Sequence, residues 1–134
     1  MAVQQSDIKQ IIDESDAAKL VEVAKALGEQ LAVKEGLRTS QLRNVFGAIR
    51  QTQMRWDKEA AHQRQAYREI ILLQPKLAYF TKRTSSLGPL KDALDLAIGI
   101  LKIDKQPNEV HFKNFVDFCE AIVAYHRFYR KTSD

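Results

Sequence analysis

Cysteine is almost missing from this sequence, with Cys119 standing alone. A single thiol forms neither an internal disulfide nor a thiolate zinc set, which suits a reducing compartment. Three prolines and five glycines are few for this length, so breaks in helix are rare and each one carries information. Long apolar runs are missing too. The strongest, Ile70 to Leu73 and Ala97 to Leu101, fall far short of the ~20 residues a membrane span requires. Met1 to Asp7 is polar and lacks the basic-then-apolar order of a secretory signal, so the expected location is the cytoplasm. No stretch alternates as a strand does, and no Asn-Gly or Asp-Gly hairpin turn occurs. The sequence has no His-Glu-x-x-His pair, no glycine-rich phosphate loop and no nucleophile elbow. Its histidines, His62, His111 and His126, are scattered. These absences argue against an enzyme, a bound metal or cofactor, a small-molecule substrate and a membrane partner.

What is there suits one helical domain over 1–134. Hydrophobic residues at 45% and charged residues at 28% are ordinary for a globular chain of this size. The formal charge of +4 leans toward an acidic partner such as nucleic acid. Spacing predicts helices over about 7–14, 16–33, 40–56 and 66–84, a fifth from Gly88-Pro89 that ends before the break at Gln106-Pro107-Asn108, and a last over about 109–131, hence an all-α bundle of five or six helices. Asp16 and Asn108 are candidate amino-terminal caps, as is Thr39 or Ser40 for the third helix. Gly36 is a natural stop. Pro75 predicts a kink or restart inside the fourth helix, and Pro89 opens the fifth. The segment 54–65 is polar and loses its apolar stripe, which leaves an exposed helical extension or a mobile connection. If it projects, it also offers contact to a neighbouring chain. The last helix is the most apolar: Phe112, Phe115, Val116, Cys119, Ile122, Val123 and His126 share a broad face, and Lys113, Asp117, Glu120 and Arg127 keep a narrow polar strip. Such a helix belongs at the centre of the bundle.

Two stripes could carry chemistry. On the third helix Leu42, Val45, Phe46 and Ile49 form the apolar face. Arg43, Gly47 and Arg50 fall on another stripe, at ~100° per residue. Two guanidinium groups flanking a glycine leave room for a phosphate strand to lie close. From spacing alone, however, the favoured reading is two solvated arginines on a surface helix. After Pro75, Leu73, Leu77 and Phe80 point inward, while Lys76, Tyr79, Lys82 and Arg83 add cations and an aromatic ring on the outside. Cations for phosphate and a π-face for a base are what a single-stranded nucleic-acid site uses. The alternative is an amphipathic helix whose long cations snorkel and whose tyrosine is partly core. His126 reads as a hydrogen-bonded core histidine, Cys119 as a small buried hydrophobe, and the cluster Asp13, Glu14 and Asp16 as helix-boundary carboxylates.

Three motifs occur in order: Leu37 with Thr39-Ser40-Gln41-Leu42-Arg43, then Pro75-Lys76-Leu77-Ala78-Tyr79 with Arg83, then Phe112 through His126. With these the chain resembles the small subunit of the type III-A CRISPR effector, the Csm complex, from about Ser6 to Arg130. The middle and last motifs are the more specific. Arg38 stands where that family often has threonine, and Lys82 where a glycine often precedes the arginine, which adds charge. The resemblance implies a small helical subunit without a catalytic site. Copies of it stack into a filament with the other Csm subunits and help hold guide RNA paired to target RNA. A helix-turn-helix DNA-binding protein and a protein-only adaptor are the alternatives. Helix, Gly36 turn and Thr-Ser-Gln-Leu-Arg favour the first. The second would show no salt-dependent affinity for nucleic acid.

Overall fold

The computed structural model describes residues 3–131; the two ends of the 1–134 span, 1–2 and 132–134, lie outside the described residues. Among the described residues the chain forms seven α-helices and no strand: α1 Gln5–Ile12, α2 Ala17–Glu29, α3 Thr39–Arg55, α4 Ala60–Ile71, α5 Leu73–Arg83, α6 Gly88–Lys102 and α7 Glu109–Tyr129. A π-turn over Gln30–Lys34 extends α2. α4 and α5 meet at Leu72, so as one bent helix they complete a six-membered all-α bundle.

Local chemistry explains most of the boundaries. The Lys19 amide donates to Asp16 Oδ1 at 3.0 Å, and the His111 amide to Asn108 Oδ1 at 3.0 Å, so both expected caps act. Gly36 takes φ +66°, and the next amide, Leu37 N–H, returns to the Leu31 carbonyl at 2.8 Å. That left-handed stop costs a glycine little. Pro75 lies inside α5 and the break falls upstream of it, at Leu72. The ring clashes with the carbonyl four residues back, that of Ile71, and supplies no N–H to it. The helix therefore ends at Ile71 and restarts at Leu73.

Three boundaries differ from the sequence reading. α3 is capped at neither Thr39 nor Ser40. Arg38 holds the capping position, and its amide donates to the Gln41 side chain at 3.0 Å. Arginine has no acceptor to offer in return, and Thr39, only 9% exposed, is drawn inward instead. α4 begins at Ala60 rather than near residue 66. Asp57 accepts from the Glu59 amide at 2.9 Å and bonds His62 at 2.7 Å, which caps an early start. Pro89 is the second residue of α6, after Gly88. Within 54–65, Trp56 stacks on Phe112 at 4.1 Å and 11°, while Ala60, Ala61, His62, Arg64 and Gln65 are exposed on the first half of α4.

α7 is the axis of the bundle. It packs against α1, α2, α3, α6 and the π-turn, with Phe115, Phe118 and Ile122 fully buried. Asn114 Nδ2 donates to the Ile12 carbonyl and to Ser15 Oγ, Gly28 abuts Tyr125, and Arg130 Nη1 donates to the Ala32 carbonyl. α2 and α7 therefore run parallel in direct contact. At Gly28 a Cβ would lie 2.7 Å from Tyr125 Cβ and 2.8 Å from the His126 backbone nitrogen. Nothing larger than hydrogen fits without separating the two helices. Gly28→Ala should therefore lower stability by about 1–3 kcal/mol. Gly47→Ala, with nothing within 4 Å of its Cβ, should raise it by up to about 1 kcal/mol through helix propensity. Phe115→Ala and Ile122→Ala should each cost ~2–5 kcal/mol. Urea denaturation followed by circular dichroism checks all four. Unchanged stability in Gly28→Ala would mean the α2–α7 contact is looser than described.

Candidate nucleic-acid interface

α3 and α7 run antiparallel, pinned at both ends. At one end buried His126 bonds the Leu37 carbonyl through Nε2 at 2.7 Å. A carbonyl only accepts, so Nε2 carries the proton. At the other end Trp56, just past α3, stacks on Phe112 near the start of α7. Between these pins the helices leave an open groove of about 500 Å³. Its floor is apolar, with Leu42, Phe46 and Ile49 from α3 facing Val116, Cys119 and Val123 from α7. Arg43, Gly47 and Arg50 line the α3 wall; Glu120 and Arg127 line the α7 wall.

The charges in this groove are not neutralised. Among the described residues no carboxylate oxygen comes within 4.0 Å of a guanidinium nitrogen of Arg43, Arg50 or Arg127. All three are exposed, and Gly47 puts no side chain between the first two. Guanidinium groups present five donors in a planar fork that matches phosphate oxygens. An apolar-floored cleft with unpaired guanidinium rims can hold an anionic strand.

Lys76 does not share this groove. It borders a second hollow of about 230 Å³ between α3, α4 and α5, and Ile49 lies between the two hollows. There Arg55 Nη1 donates to both Glu69 oxygens at 2.7 and 2.6 Å, which spends that charge internally. Tyr79, Lys82 and Arg83 continue outward along α5, all exposed. Arg83 lies 5.8 Å above the Tyr79 ring and donates to its hydroxyl at 3.3 Å. Tyr79 is 58% exposed, so its ring is available to a base and is not core. The sequence stripes thus fall into two places: Arg43 and Arg50 in the groove, and Lys76, Tyr79, Lys82 and Arg83 along α5.

Arg127 escaped the sequence reading as a site residue. It shows there only as one of four polar residues on α7, and the antiparallel α3–α7 contact is what brings it to Arg43. The start of α3 also matters for the helix-turn-helix alternative. Leu37 is fully buried and Thr39 nearly so, with His126 holding the entry, while Arg38, Ser40 and Arg43 are exposed, so only one side of the first turn of α3 packs into the bundle.

The remaining polar clusters are occupied with structure. His111 sits between Asp104 at 2.9 Å and Asp13 at 3.0 Å, and the Tyr67 hydroxyl donates to Asp104 at 2.7 Å while the Asn108 amide donates to the hydroxyl at 2.9 Å. This network ties α4 and the end of α1 to the α6–α7 turn. Burial and the Asp104 carboxylate push the Tyr67 hydroxyl well above the usual phenol range. Burial likewise pushes the Cys119 thiol up, which disfavours the thiolate a nucleophile needs. Asp57, Glu59 and His62 are the one group among the described residues whose ligand atoms, within 4.8 Å of one another, could hold a metal ion. All three are exposed, and each His62 nitrogen faces a carboxylate, Asp57 at 2.7 Å and Glu59 at 3.2 Å.

That histidine gives a pH prediction. Its hydrogen bond to Asp57 and the charge of Asp57 raise the His62 pKa above the ordinary imidazole value, and the Glu59 amide and His62 lower that of Asp57. A raised histidine pKa stabilises the folded turn fully below the unfolded value, and that contribution is lost as pH rises through the folded value. The start of α4 should therefore be held best under mildly acid conditions. An NMR titration of the His62 ring should show a midpoint above that of a peptide histidine and fall back in Asp57→Asn. A midpoint unmoved by that substitution would contradict the arrangement.

A family model described as Csm2 Type III-A matches residues 14–132. Comparison with curated proteins gives no match, and comparison with solved structures gives none either.

Proposed function

The chain belongs to the Csm2 Type III-A family, a small-subunit family of the type III-A Csm complex, and from that premise we propose that it binds the backbone of guide and target RNA through the α3–α7 groove. As a Csm subunit it assembles with the other subunits of that complex. In this reading it has no catalytic role, and copies of it stack along the complex as a filament. Arg43, Arg50 and Arg127 hold phosphates in the groove. Lys76, Lys82 and Arg83 with Tyr79 give a second contact along α5. The observation that carries the reading is the set of unpaired guanidinium groups, Arg43, Arg50 and Arg127, lining one groove. Like charges brought together without counter-ions repel each other in the free protein, and an anionic strand relieves that repulsion. RNA duplexes are held mostly through shape and backbone, so a sequence-blind cationic groove is adequate chemistry.

Binding that neutralises phosphates releases counter-ions, and log affinity falls with log salt by ~0.7–0.9 per phosphate. Replacing Arg43, Arg50 and Arg127 by alanine should weaken binding of unrelated RNA sequences alike and flatten the salt slope by about 2. Tyr79→Ala should lower affinity by the ~1–3 kcal/mol of one stacked base and leave the slope nearly unchanged. The assembled complex with guide and target RNA is the system to titrate, with circular dichroism as the folding check on each variant. A folded triple variant with wild-type affinity and slope would sink the RNA reading and favour the protein-only adaptor.

A further inference from the structure

The groove has one feature that a simple phosphate cradle does not need. Glu120 lines the same wall as Arg127 and is exposed, yet among the described residues no cation lies within 4.0 Å of its carboxylate. A carboxylate placed to quieten the arginines would pair with one of them. Left unpaired, it repels any phosphate passing that point.

The chemistry of the two nucleic-acid backbones resolves this. Phosphate oxygens only accept hydrogen bonds, and guanidinium groups only donate, so the arginines suit either backbone equally. The ribose 2′-hydroxyl is the one backbone group that can donate, and DNA lacks it. An ionised carboxylate only accepts. Beside RNA, Glu120 can accept a hydrogen bond from a 2′-hydroxyl between neighbouring phosphates, offsetting the repulsion. Beside DNA it meets phosphates with nothing to accept. Its position fits such a rail: Glu120 and Arg127 are seven residues apart on one face of α7, about 10 Å at ~1.5 Å per residue, and Arg43 and Arg50 have the same separation on α3.

We propose that Glu120 makes the groove selective for RNA over DNA by accepting a hydrogen bond from a ribose 2′-hydroxyl while Arg43, Arg50 and Arg127 hold the phosphates. This rests on the groove being an RNA site.

The test is fluorescence anisotropy of the full chain with three labelled strands of one sequence: RNA, DNA and 2′-O-methyl RNA, which keeps the RNA sugar shape and lacks the donor. The wild-type chain should prefer RNA over both others by about tenfold, the scale of one hydrogen bond to a charged group. Glu120→Ala should bind DNA more tightly and bring all strands within about twofold. Glu120→Gln, which keeps an acceptor oxygen, should retain part of the preference. A wild-type chain that shows no preference, or a preference that survives Glu120→Ala, overturns the role of Glu120 and leaves the groove itself standing if binding still depends on the arginines. A wild-type chain that binds none of the strands overturns the role of Glu120, while the arginine variants in the assembled complex decide the groove.

Discussion

The direct contact between α2 and α7 at Gly28 is the constraint on which the other parts depend. With Gly28 against Tyr125 and the His126 backbone, the two helices run parallel at a separation that no larger residue permits. That contact fixes the height of α7 in the bundle. It thereby fixes His126, whose ring holds the Leu37 carbonyl and sets where α3 begins. The stack of Trp56 on Phe112 sets where α3 ends relative to α7. Everything placed on the facing sides of α3 and α7, the arginines included, inherits its position from these contacts. Tight packing transmits such placement because interiors yield little.

The groove between those helices carries cations that no carboxylate of the described residues pairs. Three guanidinium groups share one cleft without a carboxylate partner, above a floor that is largely hydrocarbon. On the other side of α3, Arg55 is paired with Glu69. The two hollows therefore differ in how they use their arginines. One spends its arginine internally. The other leaves its arginines unpaired, and these are the groups that the proposed RNA contact uses.

Much of the architecture was legible in the residues. The apolar face of α7 is broad enough to announce a central helix, and Asp16, Asn108 and Gly36 act as local chemistry demands, because a cap or a left-handed stop is settled within one turn. Arg43 and Arg50 were legible as one stripe for the same reason. What was not legible turns either on the detailed geometry of a few neighbouring residues or on distant partners. α4 starts at Ala60 because Asp57, Glu59 and His62 organise a turn whose composition alone suggests only polarity. The break falls at Leu72 because the proline clash is felt four residues upstream. Thr39 is drawn inward by a groove that α7 builds. Arg127 joins Arg43 only through the antiparallel pairing of helices more than 50 residues apart in the chain. The separation of Lys76 from the arginine groove has the same origin, since α3 stands between them.

The central claim is that RNA covers these particular guanidinium groups. Arginine-specific labelling with phenylglyoxal, read by mass spectrometry on the chain with and without RNA, addresses it residue by residue. The account predicts that RNA protects Arg43, Arg50 and Arg127 while exposed Arg64 on α4 stays reactive. Equal labelling of Arg43, Arg50 and Arg127 with and without bound RNA would contradict it.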